Sequence, residues 1–371
     1  MRTLTQDLPP DAPGRLHQLT AQAFGAPDAR PKVYLQGGLH ADEMPGPLIL
    51  HHLRALLIQA EQAGKLLGQV VLVPLANPIG FAQWVQNKPQ GRQDLNSMRN
   101  FNRDYPDLAA LCGDDLDGRL GPDPVQNVAI TRAAFAAALG AMATPDEGTA
   151  LRRALMLWSH DADHVLDLHC DHHAVVHLYT SPAHPNEARL LAQAIGARLV
   201  LLAAVSGGHA FDEAHSAPFH HLSQRFGPQT PLPAATFAAT LEYRGQFDVS
   251  DAQAAADAAG LMVYLAAVGA ISGPAEPLHD NPPHYPLRGA AEVTAPQGGI
   301  VTWACAPGDR VAEGQVIGHV TDPAQGTRMA VAAPIAGLLF RQELWRSCLR
   351  GQSLAHISGP NPVRDGNLLS D

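Results

Sequence analysis

The feature that most constrains this chain is an alternation of two periodicities through its first 270 residues. Short β-like runs recur: Lys32–Gln36, Val70–Leu75, His164–Leu168, Val175–Tyr179, Leu199–Leu202 and Thr236–Tyr243. Between them lie stretches of helical spacing. Pro47 to Gln62 carries apolar residues at 49, 50, 53, 56, 57 and 60, with Gly64 as a stop. Positions 125–140 and 146–160, Glu187–Ala197 and Ala252–Ile271 read as further helices. Strands interleaved with helices predict an α/β domain with a mixed sheet covered by helices on both faces. Ser272–Pro286 holds five prolines and breaks the pattern. Beyond it, runs at 299–304, 316–320 and 328–331 are separated by Gly and Pro-Gly turns, the texture of a small all-β module. The expected organisation is a catalytic α/β domain over 1–275, a Pro-rich linker over 276–286 and a β-domain over 287–371.

Composition narrows the partners. The formal net charge is −10, so phosphate-rich nucleic acid and anionic membrane surfaces are not expected to bind. No run approaches the roughly 18 apolar residues of a membrane span. The N-terminal MRTLTQDLPPDAPGR lacks the apolar core of a signal peptide. Four scattered cysteines, with no CxxC pair, suit reduced thiols in a cytoplasm. The sequence is silent on oligomeric state and leaves a homo-oligomer open.

With 19 histidines in the chain, identity alone marks none as a ligand. Position does more. His40 and Glu43 lie in GGLHADEMPG, just past the first of the β-like runs above, and His169 ends HVLDLH. In open α/β sheets, sites collect at the carboxyl ends of strands. Two histidines and a glutamate are the donor set of a catalytic zinc that keeps one position open. A helix-start Glu beside a surface His is the plainer reading of HxxE alone. Asp167, two residues before His169, shares its face of the strand; it either fixes the imidazole or caps the strand end. Glu242 in ATLEYRG is either a paired structural carboxylate or the general base of hydrolysis. GRQDLNSMRNFNRDYPD gathers Arg92, Arg99, Asn102 and Arg103, either a carboxylate-binding loop or a solvated surface loop.

The order GGxHxxExxG, NPxGF, NFNRDYP, DLH and LEYRG resembles the succinylglutamate desuccinylase/aspartoacylase family, which is related to zinc carboxypeptidases. The resemblance spans about residues 30–360. It implies a carboxypeptidase-like mixed α/β fold and one zinc per chain on His40, Glu43 and His169. Glu242 would activate water, and Asn102 with Arg103 would grip a substrate carboxylate. Arg92, in competition with Arg99, would polarise the scissile carbonyl. Arg244 departs from the Gly-rich sequence common after the catalytic motif and is expected to bring extra charge toward the substrate. The implied activity is hydrolysis of a small N-acyl amino acid; a carboxypeptidase of short peptides and a non-catalytic metal-binding protein are the alternatives. The C-terminal module resembles a biotinyl/lipoyl-type barrel. Residues 287–371 contain no lysine to carry the group, so a carrier role is excluded.

Overall fold

The computed structural model describes residues 1–366 and 368; the remaining positions of the expected 287–371 module lie outside the described residues. Nine strands form one mixed sheet: β1 (Arg2–Asp7), β2 (Gln18–Phe24), β3 (Lys32–Gly37), β4 (Gln69–Val73), β5 (His164–Asp171), β6 (His177–Thr180), β7 (Leu199–Leu202), β8 (Phe237–Gly245) and β9 (His284–Pro286). Their spatial order is β1-β2-β4-β3-β5-β8-β6-β7-β9. The centre is parallel, with β4, β3, β5 and β8 side by side. β1 and β2 add antiparallel strands on one side, and β6 runs antiparallel to β8.

Strand alternation divides the core in two. Val33, Leu35, Leu166, Leu168, Ala239 and Leu241 face α1 (Pro45–Gln62), α4 (Pro185–Ile195) and α6 (Asp251–Ala267). Tyr34, Val165 and Ala238 face α2 (Pro124–Ala141), α3 (Glu147–Ser159) and α5 (Glu213–Phe226). Both faces are therefore covered, as the alternation predicts. Several helices start where the sequence says they should: Asp123, Asp146 and Ser250 accept backbone N–H bonds in their first turns. Gly46 brings the start of α1 against β5, where an added Cβ would lie 2.6 Å from the Leu168 carbonyl oxygen.

Two small sheets follow. Ala290–Thr294, Ser353–Ser358, Gly337–Gln342 and Arg310–Val311 form one; Thr327–Ala332, Val316–Asp322, Gly299–Trp303 and Ser347–Cys348 form the other. They close over their own cluster of Val301, Ile317, Val320, Val331, Leu339 and Ile357. The first sheet also takes in His173–Ala174, which pairs with Gly337–Gln342. His284–Pro286, inside the Pro-rich stretch, pairs in parallel with β7 as the edge strand of the main sheet, so the chain is already anchored before residue 287. Pro286 is tolerated because an edge strand has no further neighbour to donate to. Among the described residues, no helix is long and apolar enough to cross a membrane.

Candidate metal centre and active site

The odd-numbered positions of β5 place Asp167, His169 and Asp171 on one face, beyond which the sheet ends in a cavity of about 290 Å³. His40 and Glu43 reach the same place from the loop between β3 and α1. That loop is fixed at its base: Asn77 Nδ2 donates to the Leu39 carbonyl at 2.8 Å, and Ala41 N donates to the Gly91 carbonyl at 3.0 Å. Glu43 then bridges both imidazoles. His40 Nδ1 lies 2.9 Å from its Oε1, and His169 Nδ1 lies 2.8 Å from its Oε2. One ligand atom from each of His40, Glu43 and His169 lies within 4.8 Å of the other two.

The far nitrogens explain the tautomers. His40 Nε2 sits 2.8 Å from Asn100 Oδ1, and His169 Nε2 sits 2.9 Å from Asp167 Oδ2. Both oxygens are acceptors, so with a cation bound each Nε2 would carry the proton and each Nδ1 would turn its lone pair to the centre. Three buried ligand atoms would then converge, each histidine within hydrogen-bond distance of Glu43. A cation satisfies such a set, and His₂Glu is a donor set suited to zinc. The charges are divided unevenly. Burial lowers His40. At His169 burial acts the same way, yet Asp167 and Glu43 hold it well above the usual histidine value. Glu43 is raised by burial but held well below the carboxylate range by its two histidines.

Glu242 stands directly across from His169 in the β8–β5 register. Its Oε2 is buried and has no hydrogen-bond partner among the described residues. Burial, then the charges of Asp171 and Glu43, push its carboxyl up to about 8. On the other side, Arg92 Nη1 lies 3.4 Å from His40 Nδ1 and 3.5 Å from Glu43 Oε1. Arg99 is exposed and takes no part in the cavity wall.

Asn102 and Arg103 also line the cavity. Asn102 Oδ1 accepts from Phe211 N at 2.8 Å, which leaves its Nδ2, 3.4 Å from His169 Nε2, toward the site. Arg103 Nη1 donates to the Asn102 carbonyl at 2.8 Å, and its stem lies against Gly208, where a Cβ would come 2.8 Å from Arg103 Cδ. Arg152 of α3 braces this loop from behind, donating to the carbonyls of Arg103 at 2.7 Å and Asn100 at 3.0 Å.

Arg244 is the expected residue that the fold does not deliver. Its backbone sits at φ 64°, where β8 bulges past Glu242. The guanidinium is thereby turned to Asp257 of α6, Nη1 lying 3.3 Å from Oδ1, away from the cavity wall. Sequence reasoning missed Asn100, Arg152, Asp212 and Arg341. Asn100 sits two residues before Asn102 and was within reach of the same motif. Arg341, which closes the wall from the C-terminal sheets with its Nε 3.1 Å from Asp171 Oδ1, carries no sequence signal at all.

The catalytic-domain model of the succinylglutamate desuccinylase/aspartoacylase family matches residues 29–261. Among solved structures, a succinylglutamate desuccinylase/aspartoacylase family protein of Shewanella amazonensis SB2B superposes with a TM-score of 0.84 at 25% identity, covering 96% of this chain and 98% of its own. A relative from Shewanella frigidimarina NCIMB 400, described in the same terms, gives 0.86 at 24% identity with 96% of each chain covered. The product-bound ectoine utilization protein EutE (DoeB) of Ruegeria pomeroyi shares the fold, with a TM-score of 0.65 at 17% identity over 96% of this chain and 94% of that one. No curated protein matches the chain. The family match covers well over half the sequence, and the chain belongs to the succinylglutamate desuccinylase/aspartoacylase family of hydrolases.

Proposed function

We propose that this protein is a zinc-dependent amidohydrolase that cleaves the amide of a small N-acyl amino acid or related carboxylate. The observation that carries the reading is the meeting of His40, Glu43 and His169 in one buried cluster, with Glu242, whose Oε2 has no hydrogen-bond partner among the described residues, opposite His169. His40 Nδ1, Glu43 and His169 Nδ1 are the residues that would hold one zinc. The chemistry zinc supplies when bound there is Lewis-acid activation of water and of a carbonyl.

The chain's own groups supply the rest. Glu242 takes the proton of the attacking water and passes it to the leaving nitrogen; a carboxyl held near neutrality can do both. Arg92 presents a cation where negative charge grows on the carbonyl oxygen. Asn102 and Arg103 hold the substrate carboxylate, on a loop that Arg152 keeps in place. Asn100 and Asp167 orient the two imidazoles. Residues 1–275 form the catalytic domain in this reading, and the module after residue 287 closes its cavity. Four free cysteines agree with a cytoplasmic site of action.

The test is a panel of N-acyl amino acids, their carboxamides and short peptides, offered to zinc-loaded protein with released amine as readout. Turnover of N-acyl amino acids with rejection of the carboxamides is expected. Turnover of peptides alone would replace the reading with a carboxypeptidase.

A further inference from the structure

The strand that carries Glu242 is irregular immediately beyond it. β8 and β5 keep step as far as Glu242 and His169, and the next matched pair is Gly245 with Asp171. β8 therefore spends one residue more than β5 over this interval, the mark of a bulge. Arg244 lies within it at φ 64°, a left-handed backbone that a residue with a Cβ adopts only at a cost.

The consequence is a change of face. Thr240 and Glu242 line the cavity, whereas Leu241 and Tyr243 pack with Ala254, Ala258 and Leu261 of α6. In an unbroken strand Arg244 would follow Glu242 onto the cavity side. The bulge sets it beside Tyr243 instead, its Cζ 6.0 Å from the ring centroid. There it meets Asp257 of α6, which is 9% exposed. Nη1 donates to Oδ1 at 3.3 Å, and Nη2 donates to Oδ2. A paired contact of this kind fixes a guanidinium in orientation as well as in place. Past the bulge the chain is pinned again: Gly245 N donates to Asp248 Oδ2 at 2.9 Å, and Gln246 N to the His172 carbonyl at 3.2 Å.

We infer that Arg244 and Asp257 are positioning residues for Glu242, an inference that rests on the proposed role of Glu242 in hydrolysis. Their ion pair holds β8 in its bulge and keeps the guanidinium off the face where Glu242 works. A straightened strand would set a cation two residues from Glu242 on the same face. It would pair with the carboxylate and occupy Oε2, the oxygen that has no hydrogen-bond partner among the described residues. α6 thus acts on the reacting centre while contributing no residue to the described cavity wall.

The experiment measures kcat, KM and zinc content of zinc-loaded wild type and variants on the N-acyl amino acid that wild type hydrolyses fastest. Asp257→Ala should lower kcat about tenfold or more, with KM within about twofold and zinc unchanged, because a displaced base costs turnover rather than ground-state binding. Adding Arg244→Gly to Asp257→Ala should restore most of the loss, since glycine accepts the left-handed backbone and brings no cation. Adding Arg244→Ala instead should leave kcat about fivefold or more below the glycine version, since alanine resists that backbone. These two double variants leave neither charge unpaired and differ only by one Cβ, so they decide the question even if Asp257→Ala does not fold. A crystal structure of Asp257→Ala should show Arg244 on the cavity face beside Glu242. Wild-type kcat in Asp257→Ala, a loss carried by KM, equal recovery with alanine and glycine, or an unaltered bulge in the Asp257→Ala crystal would each overturn the inference and leave the proposed function standing. No hydrolysis of any N-acyl amino acid by zinc-loaded wild type would overturn the proposed function and the inference with it.

Discussion

Replacing Asp167 by asparagine isolates what the carboxylate does for His169 at the cost of a single atom type. Asp167 is fully buried, its Oδ2 is 2.9 Å from His169 Nε2, and its Oδ1 accepts from Gln36 Nε2 at 3.1 Å. Turning the Gln36 amide over would strand the buried Tyr34 hydroxyl, which donates to its Oε1 at 2.9 Å. An asparagine at 167 would therefore face a donor on each side while owning one acceptor. With its NH₂ toward Gln36, two donors oppose each other. With its NH₂ toward His169, the imidazole proton is forced onto Nδ1, the nitrogen that faces Glu43. Either arrangement forfeits one buried contact of the charged group, the hydrogen bond from Gln36 or the ion pair with His169, worth about 1.5–3 kcal/mol. Loss of an outer partner of a metal-binding histidine weakens metal by about 10–100-fold, which is about 1.4–2.8 kcal/mol and agrees with that figure. The assay is a competition titration of metal-free Asp167→Asn and wild type against a chromophoric zinc chelator. Turnover of the variant should recover most of its loss when zinc is saturating. Unchanged zinc affinity in a folded Asp167→Asn protein would refute the reasoning.

Three further outcomes follow from the same geometry. Glu242→Gln should keep metal and fold yet lose about 10²–10⁴ in kcat, because an amide cannot take the proton of water; single-turnover kinetics on the metal-loaded variant checks this. Arg103→Ala should lower kcat/KM for a carboxylate substrate about a hundredfold, on the order of 3 kcal/mol, while leaving the carboxamide nearly unaffected; equal losses on both would remove Arg103 from carboxylate recognition. His215, buried at 3% exposure with its ring between Ser159 Oγ and the Phe211 carbonyl, is lowered by burial to about 4. The unfolded chain then takes up a proton near pH 6.5 that the folded chain refuses, so stability is present above that value and lost as pH falls toward about 4. By pH 5 the loss from this one group is about 2 kcal/mol, and urea midpoints should fall between pH 7.5 and 5 less steeply in His215→Gln than in wild type.

Much of this was legible in the sequence because the signals were local. Val33 to Leu35, Val70 to Val73 and, interrupted only by Asp167, Val165 to Leu168 are apolar runs that read as central strands, and their ends mark where a site can form. His40, Glu43 and His169 lie at two such ends, and the structure brings them together. Elsewhere the local signal was weak or misleading. β1 (RTLTQD) is exposed along almost its whole length and has no apolar stripe to announce it. α5 holds Pro218 and three histidines, which hide its helical period. His284–Pro286 reads as linker by composition, and only the edge of β7 makes it a strand. Arg244 misled for the opposite reason: its proximity in sequence to Glu242 says nothing about a bulge that turns it to Asp257. Asn100 and Arg152 act through partners between 49 and 60 residues away, which no window of sequence can display.

The account stands or falls on the cluster of His40, Glu43 and His169. Elemental analysis of purified wild type, His40→Ala and His169→Ala, after dialysis against zinc-free buffer, addresses it directly. We predict about one zinc per wild-type chain and little in either variant, since two remaining ligands hold zinc poorly. Undiminished zinc in both variants would place the metal elsewhere and contradict the assignment.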